Sequence, residues 1–155
     1  MLSLFLRNLF FTIVQPGIVA GLVPYWIVNG NIHPDRPLRY YQYAGAILFI
    51  AGLMIMLHCI VSFAIRGRGT LSPADPTKQL VISGLYKYSR NPMYVGVMSI
   101  LIGESIFFAA GALWLYSLFV CIAFNLFVAF FEEPRLRNDF SNEYELYCRK
   151  VRRWI

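Results

Sequence analysis

Two adjacent acids, Glu132 and Glu133, follow the last long apolar run of the chain, with Pro134 directly after them. Carboxylates side by side at the C-terminal end of a helix repel each other and oppose the helix dipole, so a cation should compensate them. Arg135, Arg137 or an arginine in the 149–153 cluster would serve, and so would a cationic ligand; the residues alone leave both open. A second feature is the run Gly84-Leu85-Tyr86-Lys87-Tyr88-Ser89-Arg90-Asn91-Pro92-Met93-Tyr94-Val95-Gly96. Asn91 is a favoured N-cap and Pro92 fits a first helical turn, which predicts a helix starting here with free backbone N–H groups. With Arg90 beside it, such an end suits a carboxylate or a phosphate. An interfacial cap with tyrosine and arginine anchors explains the same residues, and the run alone favours that reading.

Glu104 is the third feature, about ten residues into the helix that Asn91 would cap. It lies roughly 20 Å along the axis from that cap, too far to share its site. An ionisable group at such depth asks for a partner, and His58 and Asn125 are the candidates for a structural polar contact. Cys59, Cys121 and Cys148 have no metal-ligand spacing and read as small buried hydrophobes. No metal site is expected.

The elements that must hold these residues are apolar. Of 155 residues, 58% are hydrophobic, 17% aromatic and 14% charged, and the mean hydropathy is +0.56. These values place the chain in the membrane class. It reads as all-α: a polytopic membrane protein of four transmembrane helices, Leu9 to Val28, Tyr41 to Ile65, Met93 to Ala109 and Ala112 to Phe131. The first apolar run carries Arg7, Asn8, Gln15 and Pro16 and lacks a small-residue cleavage site, so it reads as a retained span. Only Ala110 and Gly111 separate the last two spans, which predicts an antiparallel hairpin returning Tyr94 and Glu132 to one membrane face.

After Phe131, Leu136, Phe140, Tyr144, Tyr147 and Val151 recur at three- and four-residue steps, the pattern of a C-terminal amphipathic helix. The net charge of +6 concentrates in residues 66–90 and in the tail. The positive-inside rule then puts that loop and both termini in the cytoplasm. Nucleic-acid binding is not expected, because the aromatic residues beside these charges flank apolar spans. The chain is read as a single domain, 1–155, in which 1–65 supplies two spans and 66–155 the loop, hairpin and C-terminal helix.

From about Arg66 to Ile155 the chain resembles the isoprenylcysteine carboxyl methyltransferase and phospholipid methyltransferase superfamily of integral-membrane enzymes. The matching pieces are Leu80-Val81, Gly84-Leu85-Tyr86, Arg90 through Gly96, the Glu132-Glu133 pair, Phe140-Ser141-Asn142-Glu143-Tyr144 and Val151 through Ile155. The resemblance implies S-adenosylmethionine as cofactor, with contacts from Lys78, Gln79, Leu80, Val81, Tyr86, Asn91, Pro92, Met93, Tyr94 and Glu132. It further implies methyl transfer to a lipophilic acceptor drawn from the bilayer, with membrane lipids as partners. Arg90, Tyr94 and Glu133 are the expected catalytic residues, Glu133 as base if the acceptor must lose a proton.

Two positions depart from the family pattern. Asn91 stands where histidine is common, and Val128 stands where the prenylcysteine enzymes carry a substrate-contacting arginine. No particular acceptor is therefore assigned. Two other classes share features with the chain. Membrane sterol and enone reductases carry a related Arg-x-Pro-x-Tyr-x-Gly signature and bind NADPH, and a non-enzymatic lipid-binding protein would use the same basic loop.

Overall fold

The computed structural model describes Val14 and residues 16–29, 38–66 and 80–155. Its helices are α1 (Ile18–Val28), α2 (Tyr40–Arg66), α3 (Pro92–Phe108), α4 (Gly111–Phe127) and α5 (Glu133–Lys150). A 3-10 turn at Gly84–Lys87 precedes α3. Among the described residues there is no strand, and the extended pairing present is a parallel bridge between Ser89 and Arg152. The all-helical expectation therefore holds.

Of the four expected spans, two are long and apolar enough to cross a bilayer: Tyr40–Ser62 within α2, and the helical run Gly111–Lys150. The apolar part of that run ends at Phe131. α3 is apolar, but its 17 residues rise only about 25 Å against the ~30 Å of a hydrocarbon core. The start of the first expected span, before Val14, lies outside the described residues.

Glycines let α2 and α3 meet backbone to backbone. A methyl group built on Gly52 would lie 2.6 Å from the Gly96 carbonyl oxygen, and one on Gly45 would lie 2.7 Å from that of Gly103. The two pairs run antiparallel at a seven-residue spacing, so the same face of each helix returns every second turn. Without a hydrophobic drive between helices in lipid, such close approach and the dispersion it permits hold the pair together. Val97, Ile100 and Leu101 of α3 then pack with Ala20 of α1 and Val120 of α4. The Tyr116 hydroxyl donates to the Val19 carbonyl at 2.9 Å and ties α4 to α1. Outward-facing Ile47, Met54, Leu115 and Phe119 are exposed, as lipid-facing side chains are.

The α3–α4 turn differs from the expectation at Gly111. The reversal is made by Ala109, which adopts the left-handed conformation at φ 49°, ψ 34°, while Gly111 is the first residue of α4. The acids also do not end a helix. α4 continues through a π turn at Val128–Glu132 directly into α5. A proline ring clashes with the carbonyl four residues before it, and one inserted residue relieves that clash. The π turn ends two residues before Pro134, and the π turn Ile18–Leu22 ends two residues before Pro24. Helix-dipole repulsion at Glu132 and Glu133 therefore falls away.

Glu104 pairs with neither expected partner. The Asn125 side chain is engaged with Cys121 and Trp154, His58 is exposed, and the Glu104 Oε2 atom is buried without a hydrogen-bond partner among the described residues. Cys59 is fully buried, whereas Cys121 and Cys148 are half-buried. α5 breaks at Ser141, where φ is 41° and ψ −115°. Its apolar stripe turns inward: Tyr144, Tyr147 and Val151 are buried together, with Leu80, Leu136, Phe140 and Cys148 against them.

Candidate functional site

The N-terminus of α3, the π turn and the tail Val151 to Ile155 converge at one end of the bundle. The tail runs beside the residues that enter α3. The Arg90 backbone N–H donates to the Arg152 carbonyl at 3.0 Å, and the Asn91 side-chain amide donates to the Arg153 carbonyl at 3.0 Å. Asn91 is thus not a side-chain cap for α3; its amide is spent on the tail, and its own backbone N–H donates to the Ser89 hydroxyl. Pro92 still opens the helix, where a missing N–H costs nothing.

The two acids have different surroundings. Glu133 is buried and lies between two arginines. Arg153 donates to it from Nε and Nη2 at 2.8 Å each, and Arg90 Nη1 lies 3.1 Å from Oε1. These hydrogen bonds to Glu133 raise the Arg153 pKa above its ordinary value and keep it charged. Arg90 Nη1 also donates to Cys148 Sγ at 2.7 Å and to the Tyr144 hydroxyl at 3.4 Å. The cation that compensates Glu133 is therefore internal, drawn from both the α3 entry and the tail.

Glu132 instead accepts from the Tyr94 hydroxyl at 2.9 Å, and among the described residues it forms no ion pair. The Tyr94 ring packs on Phe124 at 4.6 Å and meets Trp154 edge-on at 6.5 Å. Trp154 is fixed by its indole N–H, which donates to Asn125 Oδ1 at 3.1 Å. One carboxylate is thus saturated by arginines; its neighbour is held in place by a phenol and forms no ion pair among the described residues. Burial pushes the Glu132 carboxyl above the usual carboxylate range, against the opposing pull of the Tyr94 hydrogen bond and the Arg135 charge.

Tyr86 is buried with Val81 and Cys59, and Met93 and Leu85 pack against them. Burial holds its phenol protonated, well above the usual tyrosine range. The Tyr86 carbonyl accepts from the Tyr147 hydroxyl at 2.6 Å, which joins this cluster to α5. Of the residues expected at the site, Val81, Tyr86, Arg90, Asn91, Pro92, Met93, Tyr94, Glu132 and Glu133 come together here, and Leu80 lies at the edge against Tyr144 and Tyr147. Lys78 and Gln79 lie outside the described residues. Val128, in the arginine position of the prenylcysteine enzymes, is fully buried in the π turn. Sequence reasoning gave no individual role to Ser89 and Trp154, offered Asn125 as a partner for Glu104, and named the 149–153 arginines as one possible source of the cation that Arg153 supplies to Glu133. Trp154 was legible as part of an aromatic tail after an apolar stripe, but nothing in its spacing named Asn125 and Tyr94 as its partners.

An aromatic-lined acid pair and a proline-opened helix start thus meet at one end of a helical membrane chain. The chain belongs to the phospholipid methyltransferase family, which it matches over residues 40–143. It is also 32% identical over 63 residues to an uncharacterized protein of Haemophilus influenzae, a match that covers 41% of this chain and the whole of the other. No solved structure matches it.

Proposed function

We propose that the protein transfers a methyl group from S-adenosylmethionine to a lipophilic acceptor at the cytoplasmic face of the membrane. The observation that carries this reading is the asymmetry of the acid pair. Glu133 is neutralised by Arg90 and Arg153, whereas Glu132 is positioned by Tyr94 with no arginine or lysine paired to it among the described residues. A cationic ligand supplies what Glu132 lacks. The cofactor fits this environment: its ammonium group suits the Glu132 carboxylate, its sulfonium suits the aromatic faces of Tyr94 and Trp154, and its carboxylate suits the backbone N–H groups at the start of α3.

When bound, the cofactor supplies an electrophilic methyl group. The chain's own residues bind and orient. Tyr94 keeps the Glu132 carboxylate pointed at one place, and Asn91, Pro92 and Met93 form the adjoining helix entry. Leu80, Val81 and Tyr86 build the apolar wall beside it, and Lys78 and Gln79 directly precede them in the sequence. Catalysis by such a site is mainly positioning, with water excluded by the apolar surround. Arg90 and Glu133 hold the tail and the helix entry together, so their contribution is to site geometry; this narrows the base role expected for Glu133.

The basic residues of the 66–90 loop and tail support a cytoplasmic location for this face and for both termini. The test is titration of the purified protein in lipid nanodiscs with S-adenosylhomocysteine, followed by transfer of labelled methyl groups into membrane lipids. Saturable binding is expected. Its absence in both detergent and bilayer overturns the reading.

A further inference from the structure

We propose that Trp154, the penultimate residue, is a positioning residue that sets the Tyr94–Glu132 pair, and that Asn125 is its anchor. The proposal rests on the cofactor reading above and adds to it a link between the tail and the site.

Three observations carry it. The Trp154 ring meets the Tyr94 ring edge-on, and the Tyr94 hydroxyl is the donor that fixes Glu132. The indole N–H donates to Asn125 Oδ1, while the Asn125 amide donates to the Cys121 carbonyl one turn back, so the anchor is itself held. The backbone beside Trp154 is fixed as well, because the Arg153 carbonyl accepts from Asn91 and from the Ser89 hydroxyl. An aromatic ring clamped at both its backbone and its N–H restricts the rotamer of the ring it touches. Trp154 also lines a small apolar groove of about 120 Å³ with Ile55, Leu85, Pro92 and Val95. One side chain thus bounds both the polar pair and an apolar recess.

The test uses the full chain in nanodiscs. Trp26→Phe and Trp114→Phe replace two exposed tryptophans and leave Trp154 as the single fluorophore of the three in the chain. In this background Asn125→Leu should expose the ligand-free indole, seen as a red shift in emission and faster acrylamide quenching. S-Adenosylhomocysteine should shift Trp154 emission saturably. Trp154→Ala should weaken its binding, followed calorimetrically, by about tenfold, from loss of the ring contact and the hydrogen bond together.

Trp154→Phe and Asn125→Leu should each weaken binding by about fivefold, the effect of one hydrogen bond. The double variant should match either single, because both changes remove the same bond. If Trp154→Ala fails to fold, that pair and their double variant decide the matter. Trp154→Ala that binds as tightly as its parent, or a double variant whose loss is the product of the two singles, overturns the proposal. A parent that does not bind S-adenosylhomocysteine overturns the cofactor reading instead, and the ligand-free emission of Asn125→Leu still decides whether Asn125 anchors the indole.

Discussion

The Arg153 guanidinium closes on the Glu133 carboxylate as a two-pronged fork, Nε to Oε1 and Nη2 to Oε2, both at 2.8 Å. The two residues are separated by the whole of α5, so the fork draws the end of the chain back to the point where α4 passes into α5. Arg90 completes the set from the entry of α3. A planar fork on a buried carboxylate fixes direction as well as distance, which lysine at either arginine position would not reproduce.

Glu133→Gln leaves two guanidinium groups facing each other without the charge between them. Removing one member of a buried ion pair costs about 3 kcal/mol or more. Thermal unfolding in detergent is expected to show a large loss. Glu132→Gln is the contrasting change: the amide oxygen still accepts from Tyr94, so stability should move by less than about 1 kcal/mol. Affinity for S-adenosylmethionine should fall by about tenfold or more, since an ion-pairing charge is lost. Equal stability losses in the two variants would contradict the division of labour between the acids.

Packing of α2 on α3 gives a prediction of another kind. Gly52→Ala places a methyl 2.6 Å from the Gly96 carbonyl oxygen and 2.8 Å from the Ile100 nitrogen, both backbone atoms that cannot swing aside. The helices must separate, and forced overpacking of this type costs about 1–3 kcal/mol. Gly21→Ala meets nothing within 4 Å and is the matched control. Unfolding midpoints of the two variants, compared in the same detergent, should differ clearly in that direction.

Tyr86 gives the pH dependence. Its phenol is buried and its folded-state pKa lies well above the ordinary 10.0. The folded protein therefore holds this proton where the unfolded chain has released it, and stability falls as pH rises above about 10. The contribution is complete below that pH. Tyr86→Phe, which has no proton to lose, should flatten the fall in unfolding midpoint between about pH 9 and 11. A slope unchanged from the parent would contradict the assignment.

Much of the site was legible in the chain because its chemistry is local. Asn91-Pro92 marks a helix start from the two residues themselves, and Glu132-Glu133 announces an electrostatic problem wherever it falls. What was not legible is the choice of partner, which depends on distant residues. The acids stand where the last apolar run stops, which predicts a helix end, yet a π turn carries the helix on past Pro134. Asn91 looked like a cap and is instead a donor to a carbonyl 62 residues away. Gly45, Gly52, Gly96 and Gly103 carry no chemistry of their own, and the meaning of their seven-residue spacing appears once the two helices lie side by side.

The turn between α3 and α4 shows the same separation of local signal from outcome. Glycine in this segment stands at 111, but the left-handed residue is Ala109, at φ 49°. A residue with a Cβ is strained there by about 1–2 kcal/mol, whereas glycine is not. Ala109→Gly should stabilise the hairpin by about 0.5–1 kcal/mol, the relief being partly offset by the greater freedom of glycine in the unfolded chain. Gly111→Ala meets no neighbour within 4 Å and sits in the first turn of α4, where alanine is the better helix former, so it should be neutral or slightly stabilising. Denaturation of both variants in mixed micelles checks the pair. A loss on Ala109→Gly together with a loss on Gly111→Ala would place the reversal at 111 and overturn the turn geometry that returns Glu132 to Tyr94.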